Sequence, residues 1–502
     1  MSKFIVTITP PTPNGDLHIG HLAGPFLSAD IFTRTQRQKG HDCVLVSYSD
    51  DYQSYMLRRG REQGREPAQI GEENTRKINL SLKMAGIEVD HWMRSLDNTC
   101  FRDAVLELYH QGVNDRNIYQ KTVLAPFCRA CNVWGYEAFG RGQCSSCGQD
   151  SDASQCEECA CAPNYLYMKN FRCKLCGGEH EWVEKDHAYL NIGKNVHKLR
   201  AWLGDSAVRL NSRAFVEREL APTPEDWQIT RHGDAGLDIG QPHLGKVHTW
   251  FMGMAGYIAA TREHFTVNQQ TPELFDSFWR SDDTTLVGFL GYDCLYSHGI
   301  AYPILLAGSP YAKKKQRLYT NMFLKLNGLN LSTSRNHAIW IRDLVSDYDT
   351  DSVRLYMALL APEEQESDFV ETQFVEWHQT FYQNTLETLT VAATQESPHF
   401  WLDGMQRNEH KLLCEVYNRW SAVTSADSFS SRNLAALAVE LYEMAYERLQ
   451  AEQPLYYLVA LASCICAPIT PTLSRQIQKR CSINEALVLD NLMNANFLDY
   501  SI

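Results

Sequence analysis

The chain has 502 residues, 44% of them hydrophobic, which is enough for two or three domains with well-buried cores. Its net charge of −13 excludes a generally basic nucleic-acid coat, so any RNA or nucleotide contact must be local. No apolar run approaches transmembrane length and the N-terminus lacks the regions of a signal peptide, so a cytoplasmic protein without membrane contact is expected.

Phe4-Ile5-Val6-Thr7-Ile8 alternates β-branched and apolar residues and predicts a buried strand, after which Pro11-Thr12-Pro13-Asn14-Gly15 makes a turn. Leu22, Phe26, Ala29 and Phe32 then recur at roughly helical spacing, with Pro25 as a kink. His18 and His21 are therefore expected on one face of the first turn of a helix that leaves a strand. Free backbone N–H groups and the positive end of the helix dipole favour an anion there. Gly20 leaves room for a flat ring such as a nucleobase, and two imidazole donors suit a phosphate that gains charge in a transition state. Taken alone, these residues equally allow a capping turn or a metal pair. The segment resembles the HIGH signature of class I aminoacyl-tRNA synthetases, and Pro11-x-x-Asn14-Gly15 is most similar to the methionyl branch. The resemblance implies that His18 and His21 are catalytic, that Asn14 and Gly20 contact the nucleotide, and that Thr9, Pro10 and Thr12 line the amino-acid pocket. The family's Ala-Leu-Pro-Tyr is here Thr9-Pro10-Pro11-Thr12, which removes an aromatic wall.

Cys43–Ser47 predicts a second strand ending at Ser49-Asp50-Asp51, and in a parallel sheet Asp50 then lies beside the ligand crevice near His18. Its carboxylate suits an ammonium group, or else caps the helix starting near Tyr52. Helical patterns fill Tyr52 to roughly Gly112.

Between about Asp115 and Asp226 the composition turns to cysteine, glycine and polar residues. Cys128-x-x-Cys131, Cys144-x-x-Cys147, Cys156-x-x-Cys159 and Cys173-x-x-Cys176 each have the form of a zinc knuckle, and together they supply thiols for two closed, structural sites. Cys161 is an extra, non-ligating cysteine in this reading. The family's own insertions imply the pairing: the inner pairs hold one ion and the outer pairs the other.

Trp227-Gln228-Ile229-Thr230-Arg231 is similar to the family's Trp-x-Ile-Ser-Arg, which makes Arg231 a substrate residue by resemblance. Trp250 and Tyr257 match the family's Trp-x-Asp-Ala-Pro-x-Gly-Tyr in part, with Gly253 in the alanine place. Val287–Asp293 predicts a strand and turn similar to Phe-x-Gly-Lys-Asp, with Tyr292 for lysine and Asp293 as a nucleotide contact. His298 matches the residue that closes the methionine pocket. By residue type alone this aromatic set reads as core. Lys313, Lys314, Lys315 and Arg317 form the clearest basic cluster, read as a solvated loop.

Asn321–Gly328 predicts a strand and tight turn leading to Asn330-Leu331-Ser332-Thr333-Ser334-Arg335. This loop is similar to KMSKS, with Ser332 and Ser334 kept and the lysines replaced by Asn330 and Thr333. Arg335 is left to contact the nucleotide. From Ile341 the chain reads as helices, and the family's anticodon-reading positions register at Thr388, Ala392 and Leu455.

The resemblance covers essentially the whole chain. It implies an α/β fold in which a Rossmann-type parallel-sheet catalytic domain (1–114 and 227–330) carries a zinc-knuckle insertion (115–226). A KMSKS-like loop and connector (331–360) and a C-terminal α-helical bundle (361–502) follow. The implied function is a monomeric ligase that activates an amino acid with ATP and Mg²⁺ and passes it to tRNA or another acceptor, as a specialised paralogue. The alternative is a catalytically silent synthetase fold that binds RNA, an amino acid or a protein.

Overall fold

The computed structural model describes residues 2–221, 223–331, 337–396 and 407–494. The chain forms two compact units. The first comprises Met1–Leu17, His41–Leu82 and Glu88–Met322, and the second His18–Gly40, Lys83–Ile87 and Phe323–Ile502.

Six strands carry the first unit: β1 (Lys3–Ile8), β2 (Asp42–Ser49), β3 (His91–Arg94), β4 (Ala207–Val208), β5 (Thr284–Gly291) and β6 (Lys315–Asn321). They lie in the order β4-β6-β5-β1-β2-β3, each parallel to its neighbours. Ile5 of β1 stands opposite Leu286 of β5 and Val44 of β2, all buried. Burial from both sides is why β1, β2 and β5 read as unbroken apolar runs rather than alternating ones. The strand order reverses between β1 and β5, so the crevice past their carboxyl ends is where a doubly wound sheet receives its ligand. β3 interrupts the helical reading from Tyr52 to Gly112, because four residues give too short a pattern to outweigh the helices on either side. Lys313 also departs from the solvated-loop reading: it is buried and donates to the carbonyls of Phe278 and Ser281 at 2.8 and 3.1 Å.

Between β3 and β4 the insertion pairs Ile118–Cys128 with Glu181–Leu190 in an antiparallel ribbon. A smaller three-stranded sheet joins Asp150–Ala153, Glu137–Gln143 and Lys169–Cys173.

In the second unit, Leu27–Gln38 follows a distorted turn at Leu22–Phe26, where Gly24 leaves helical geometry and Pro25 interrupts the bonding. Helices Arg407–Thr424, Ser431–Gln450, Tyr456–Cys466 and Pro471–Arg480 form its C-terminal part. Asn327 and Gly328, with φ of 51° and 79°, turn a short hairpin between Leu324–Leu326 and Leu329–Asn330. Arg354 is fully buried and ties distant stretches of this unit together. Its guanidinium pairs with Asp30 at 2.6 Å and donates to the carbonyls of Ala85, Pro468 and Ile469 at 3.0, 3.1 and 2.6 Å. Among the described residues, no helix is long and apolar enough to cross a membrane.

Candidate active site and metal centres

His18 precedes the short helix Ile19–His21 of the second unit, and its ring and that of His21 lie 3.9 Å apart. Their caps are crossed. Gly20 N–H donates to His18 Nδ1 at 3.1 Å, and His18 N–H donates to His21 Nδ1 at 3.2 Å. An imidazole whose Nδ1 accepts carries its proton on Nε2, so both rings present an Nε2–H donor. Burial first, and His21 second, hold His18 well below the usual histidine range, so it works as a neutral donor rather than a cation. The expected free backbone N–H groups are not there. Ile19 donates to the Ile339 carbonyl at 3.0 Å, and His21 to the His18 carbonyl at 2.9 Å. The capping alternative is thus the local geometry, and it engages the Nδ1 atoms of both rings. A Cβ at Gly20 would meet the His18 ring at 3.0 Å and Leu331 Cδ1 at 2.8 Å, so leucine fills the space expected for a flat ring.

The first unit holds the other expected site residues. Thr9 lies just past β1, its N–H donating to the Phe289 carbonyl of β5 at 2.9 Å. Pro10 and Thr12 are half-buried in the turn that follows, and Asn14 is exposed beyond it. The Pro11 carbonyl accepts the Asp50 N–H at 3.1 Å, which joins the turn to the end of β2. The Asp293 carboxylate folds back past β5, so that a Cβ at Gly291 would lie 2.6 Å from it.

Asp50 is buried and caps no helix. The Thr249 hydroxyl donates to one carboxylate oxygen and Gln53 Nε2 donates to the other at 2.8 Å. Burial pushes this carboxyl up to about 7, against the lowering effect of those two hydrogen bonds. Neither Thr249 nor Gln53 stands out by residue type or spacing; Thr249 has one signal, its place just before the matched Trp250.

Tyr257 and His298 come together as a buried pair, the tyrosine hydroxyl 3.0 Å from His298 Nε2. His298 Nδ1 lies 2.9 Å from the Cys294 carbonyl, which fixes the tautomer: Nδ1–H donates and Nε2 accepts from the tyrosine. Burial pushes His298 down to about 4, so the ring is neutral. Tyr302 stacks edge-on against His298 at 4.6 Å and donates to the Trp250 carbonyl at 2.9 Å. It occupies the side-chain space of Gly253, where a Cβ would fall 1.9 Å from its hydroxyl. Trp250 is held by a hydrogen bond from Nε1 to Ser154 Oγ at 2.9 Å. Arg231 forms an ion pair with buried Glu137. Ser332, Ser334 and Arg335 lie outside the described residues.

The eight paired cysteines gather into two groups, Cys128, Cys131, Cys173 and Cys176, and Cys144, Cys147, Cys156 and Cys159. Within each group the sulfurs lie within 4.8 Å of one another. Tetrahedral zinc with bonds of about 2.3 Å places its sulfurs about 3.8 Å apart. The separations here are 3.6 Å for Cys128–Cys176, 3.8 Å for Cys144–Cys159 and 3.7 Å for Cys147–Cys156, so both groups fit zinc. Four thiolates leave no open position, which suits a structural ion. Cys161, buried beside the inner group, has its sulfur 3.4 Å from Cys144.

The family profile described as tRNA synthetases class I (M) matches residues 4–390. The chain is 30% identical over 380 residues to a methionine–tRNA ligase of Dehalococcoides mccartyi strain CBDB1, covering 74% of this chain and 68% of that one. It is 27% identical over 410 residues to a methionine–tRNA ligase of Streptococcus pneumoniae strain CGSP14, covering 78% and 74%. Among solved structures, it shares its fold with the Mycobacterium tuberculosis methionyl-tRNA synthetase bound by methionyl-adenylate. That likeness has a TM-score of 0.72 at 15% identity and covers 95% of this chain and 93% of the other.

Proposed function

Because this chain belongs to the methionyl class I tRNA synthetases, we propose that it joins an amino acid to ATP and passes the aminoacyl group to an RNA acceptor. The observation that carries the reading is the crossed capping of His18 and His21, which occupies both Nδ1 atoms and so places the ring protons of one turn on Nε2. The amino acid's carboxylate oxygen attacks the α-phosphorus of ATP, the bond to the β-phosphate oxygen breaks, and pyrophosphate leaves with Mg²⁺. The two Nε2–H groups donate to the α-phosphate oxygens as negative charge builds there. Asp50, held in place by Thr249 and Gln53, takes the ammonium group. Thr9, Pro10, Thr12, Gly253 and Tyr257 line the side-chain pocket, with Trp250 and His298 beside them. Asn14, Asp293 and Arg335 contact the nucleotide, and Ser332 and Ser334 line its triphosphate, while the space at Gly20 is taken by Leu331. Arg231 serves the substrate site through its pair with Glu137. Zinc bound by the two cysteine groups supplies structural rigidity only.

We further propose a specialised monomeric paralogue rather than a housekeeping enzyme, divided along the segments read from the sequence. Asn330 and Thr333 stand at the lysine positions of KMSKS, and losing one positioned electrostatic group typically costs about 100- to 1000-fold in rate. Leu455, in the register of the anticodon-stacking tryptophan, is buried, and its N–H donates to Glu396, which leaves it no face for a base. The test is amino-acid-dependent pyrophosphate exchange across a panel of amino acids, followed by transfer to bulk tRNA. Exchange with an amino acid other than methionine, or poor charging of methionine-accepting tRNA, supports the paralogue. Robust methionine charging refutes it, and nucleotide binding without any exchange refutes the enzyme.

A further inference from the structure

The four cysteine knuckles share one turn. The residue four places after the first cysteine is left-handed in each: Asn132, Gly148, Ala160 and Gly177 have φ of 51°, 77°, 60° and 70°. In three of them the next residue returns its carbonyl to the N–H of that first cysteine. Gln149 accepts from Cys144 at 2.7 Å, Cys161 from Cys156 at 2.9 Å and Gly178 from Cys173 at 2.9 Å. The turn uses only the backbone at this place, so valine (Val133), glutamine and glycine stand there in the other knuckles. A thiol at 161 is therefore not accounted for by the knuckle's own geometry.

That thiol points at a zinc ligand. Cys161 is 3% exposed, and its sulfur lies 3.4 Å from that of Cys144, closer than the 3.7 and 3.8 Å that separate sulfurs within the inner group. With zinc bound, Cys144 is a thiolate without a proton, so the Cys161 S–H is the donor of this contact. Ser146 N–H donates to the same sulfur at 3.4 Å. A protonated thiol thus waits beside a ligating thiolate, and closing to a disulfide bond of about 2.05 Å takes a shift of about 1.4 Å. Cys147, in the same group, is exposed and gives a small oxidant an approach.

We propose that Cys144 and Cys161 form an oxidative modification site, at which hydrogen peroxide makes a disulfide and releases the inner zinc. The Cys144 thiolate attacks one peroxide oxygen, the O–O bond breaks, and hydroxide leaves and takes a proton from solvent. Cys144 is then a sulfenic acid and no longer a ligand. The Cys161 sulfur attacks the Cys144 sulfur, the S–O bond breaks, and the thiol proton leaves with the oxygen as water. Two sulfurs have given up two electrons, and one peroxide has become two waters. The ion, left with Cys147, Cys156 and Cys159, passes to solvent. Ser154 lies in the loop between Cys147 and Cys156 and accepts the Trp250 Nε1–H, so loss of the ion slackens the support of Trp250. The inference rests on the proposed function only in what that slackening does to catalysis.

The test treats the full chain, loaded with zinc, with hydrogen peroxide. Zinc release is followed with a chromogenic chelator, and disulfides are located by peptide mass mapping after alkylation. We expect about one zinc released per chain together with a Cys144–Cys161 disulfide, both reversed by dithiothreitol and added zinc. Cys161→Ser should begin with about two zinc ions and release the inner one about tenfold more slowly. Equal release rates, a disulfide mapped to other cysteines, or a Cys161→Ser protein that begins with only one zinc overturns the proposal. If that variant fails to fold by circular dichroism, the map of the unaltered chain decides. In pyrophosphate exchange the amino-acid KM should rise as the ion leaves and fall as it returns, and an unchanged KM overturns the link to Trp250. Absence of exchange before oxidation refutes the proposed enzyme and leaves the disulfide result standing.

Discussion

His18 and His21 hold one another's backbone, so each ring has a structural and a chemical end. His18→Ala and His21→Ala should therefore each cost about 1 kcal/mol of stability through the lost cap, and about 100- to 1000-fold in pyrophosphate exchange through the lost donor. Denaturant titration reads the first and exchange rates the second. Asp50 gives a pH signature. Its folded pKa, about 7, stands above the unfolded value near 4, so between those pH values the native state holds the extra proton. By linkage the free protein loses stability as pH rises through that window, by up to about 4 kcal/mol, while amino-acid binding strengthens because the ammonium needs the carboxylate. Asp50→Asn should flatten the stability difference and abolish the binding, compared at pH 5 and pH 8 by thermal melts and calorimetry. Gly253→Ala tests the pocket's packing. The Tyr302 hydroxyl occupies the space a methyl would need, so a loss of about 1–3 kcal/mol is expected in denaturant titration.

Among the elements, the zinc knuckles were the most legible in the sequence, because thiol spacing is local and four repeats of it leave little room for another chemistry. Which pairs share an ion was not legible from spacing, since it depends on how the insertion's ribbon and small sheet fold back; family resemblance supplied it. Cys128→Ser and Cys144→Ser should each lower zinc content from about two per chain to about one, measured by elemental analysis. The double variant should lose both ions and melt earlier in circular dichroism. The helix carrying Tyr257 was legible only through the partial motif match at Trp250, Gly253 and Tyr257. That Gly253 admits Tyr302 depends on residues that are far apart in the chain, and no local pattern marks such a pair. The free N–H groups expected beside His18 failed for a related reason: their acceptors include Ile339, more than three hundred residues away.

At the scale of the whole chain, the parallel sheet could be read from its apolar runs, whereas the composition of the second unit could not. It draws three separate stretches together, and Arg354 is bonded to all of them. Arg354→Met takes from Asp30 one of its two guanidinium partners, leaving Arg34, and removes a buried donor from the carbonyls of Ala85, Pro468 and Ile469. We expect a loss of about 3–5 kcal/mol, read by the fluorescence of buried Trp420 during unfolding.

The same contact sets an order of events during translation. Asp30 leaves the ribosome 324 residues before Arg354 does, an interval of roughly 15–65 s at about 5–20 residues per second. The histidine turn and the helix after it are made early and wait for their partners. A nascent chain arrested before Arg354 emerges should therefore expose this stretch to protease, and one extended through Ile469 should protect it.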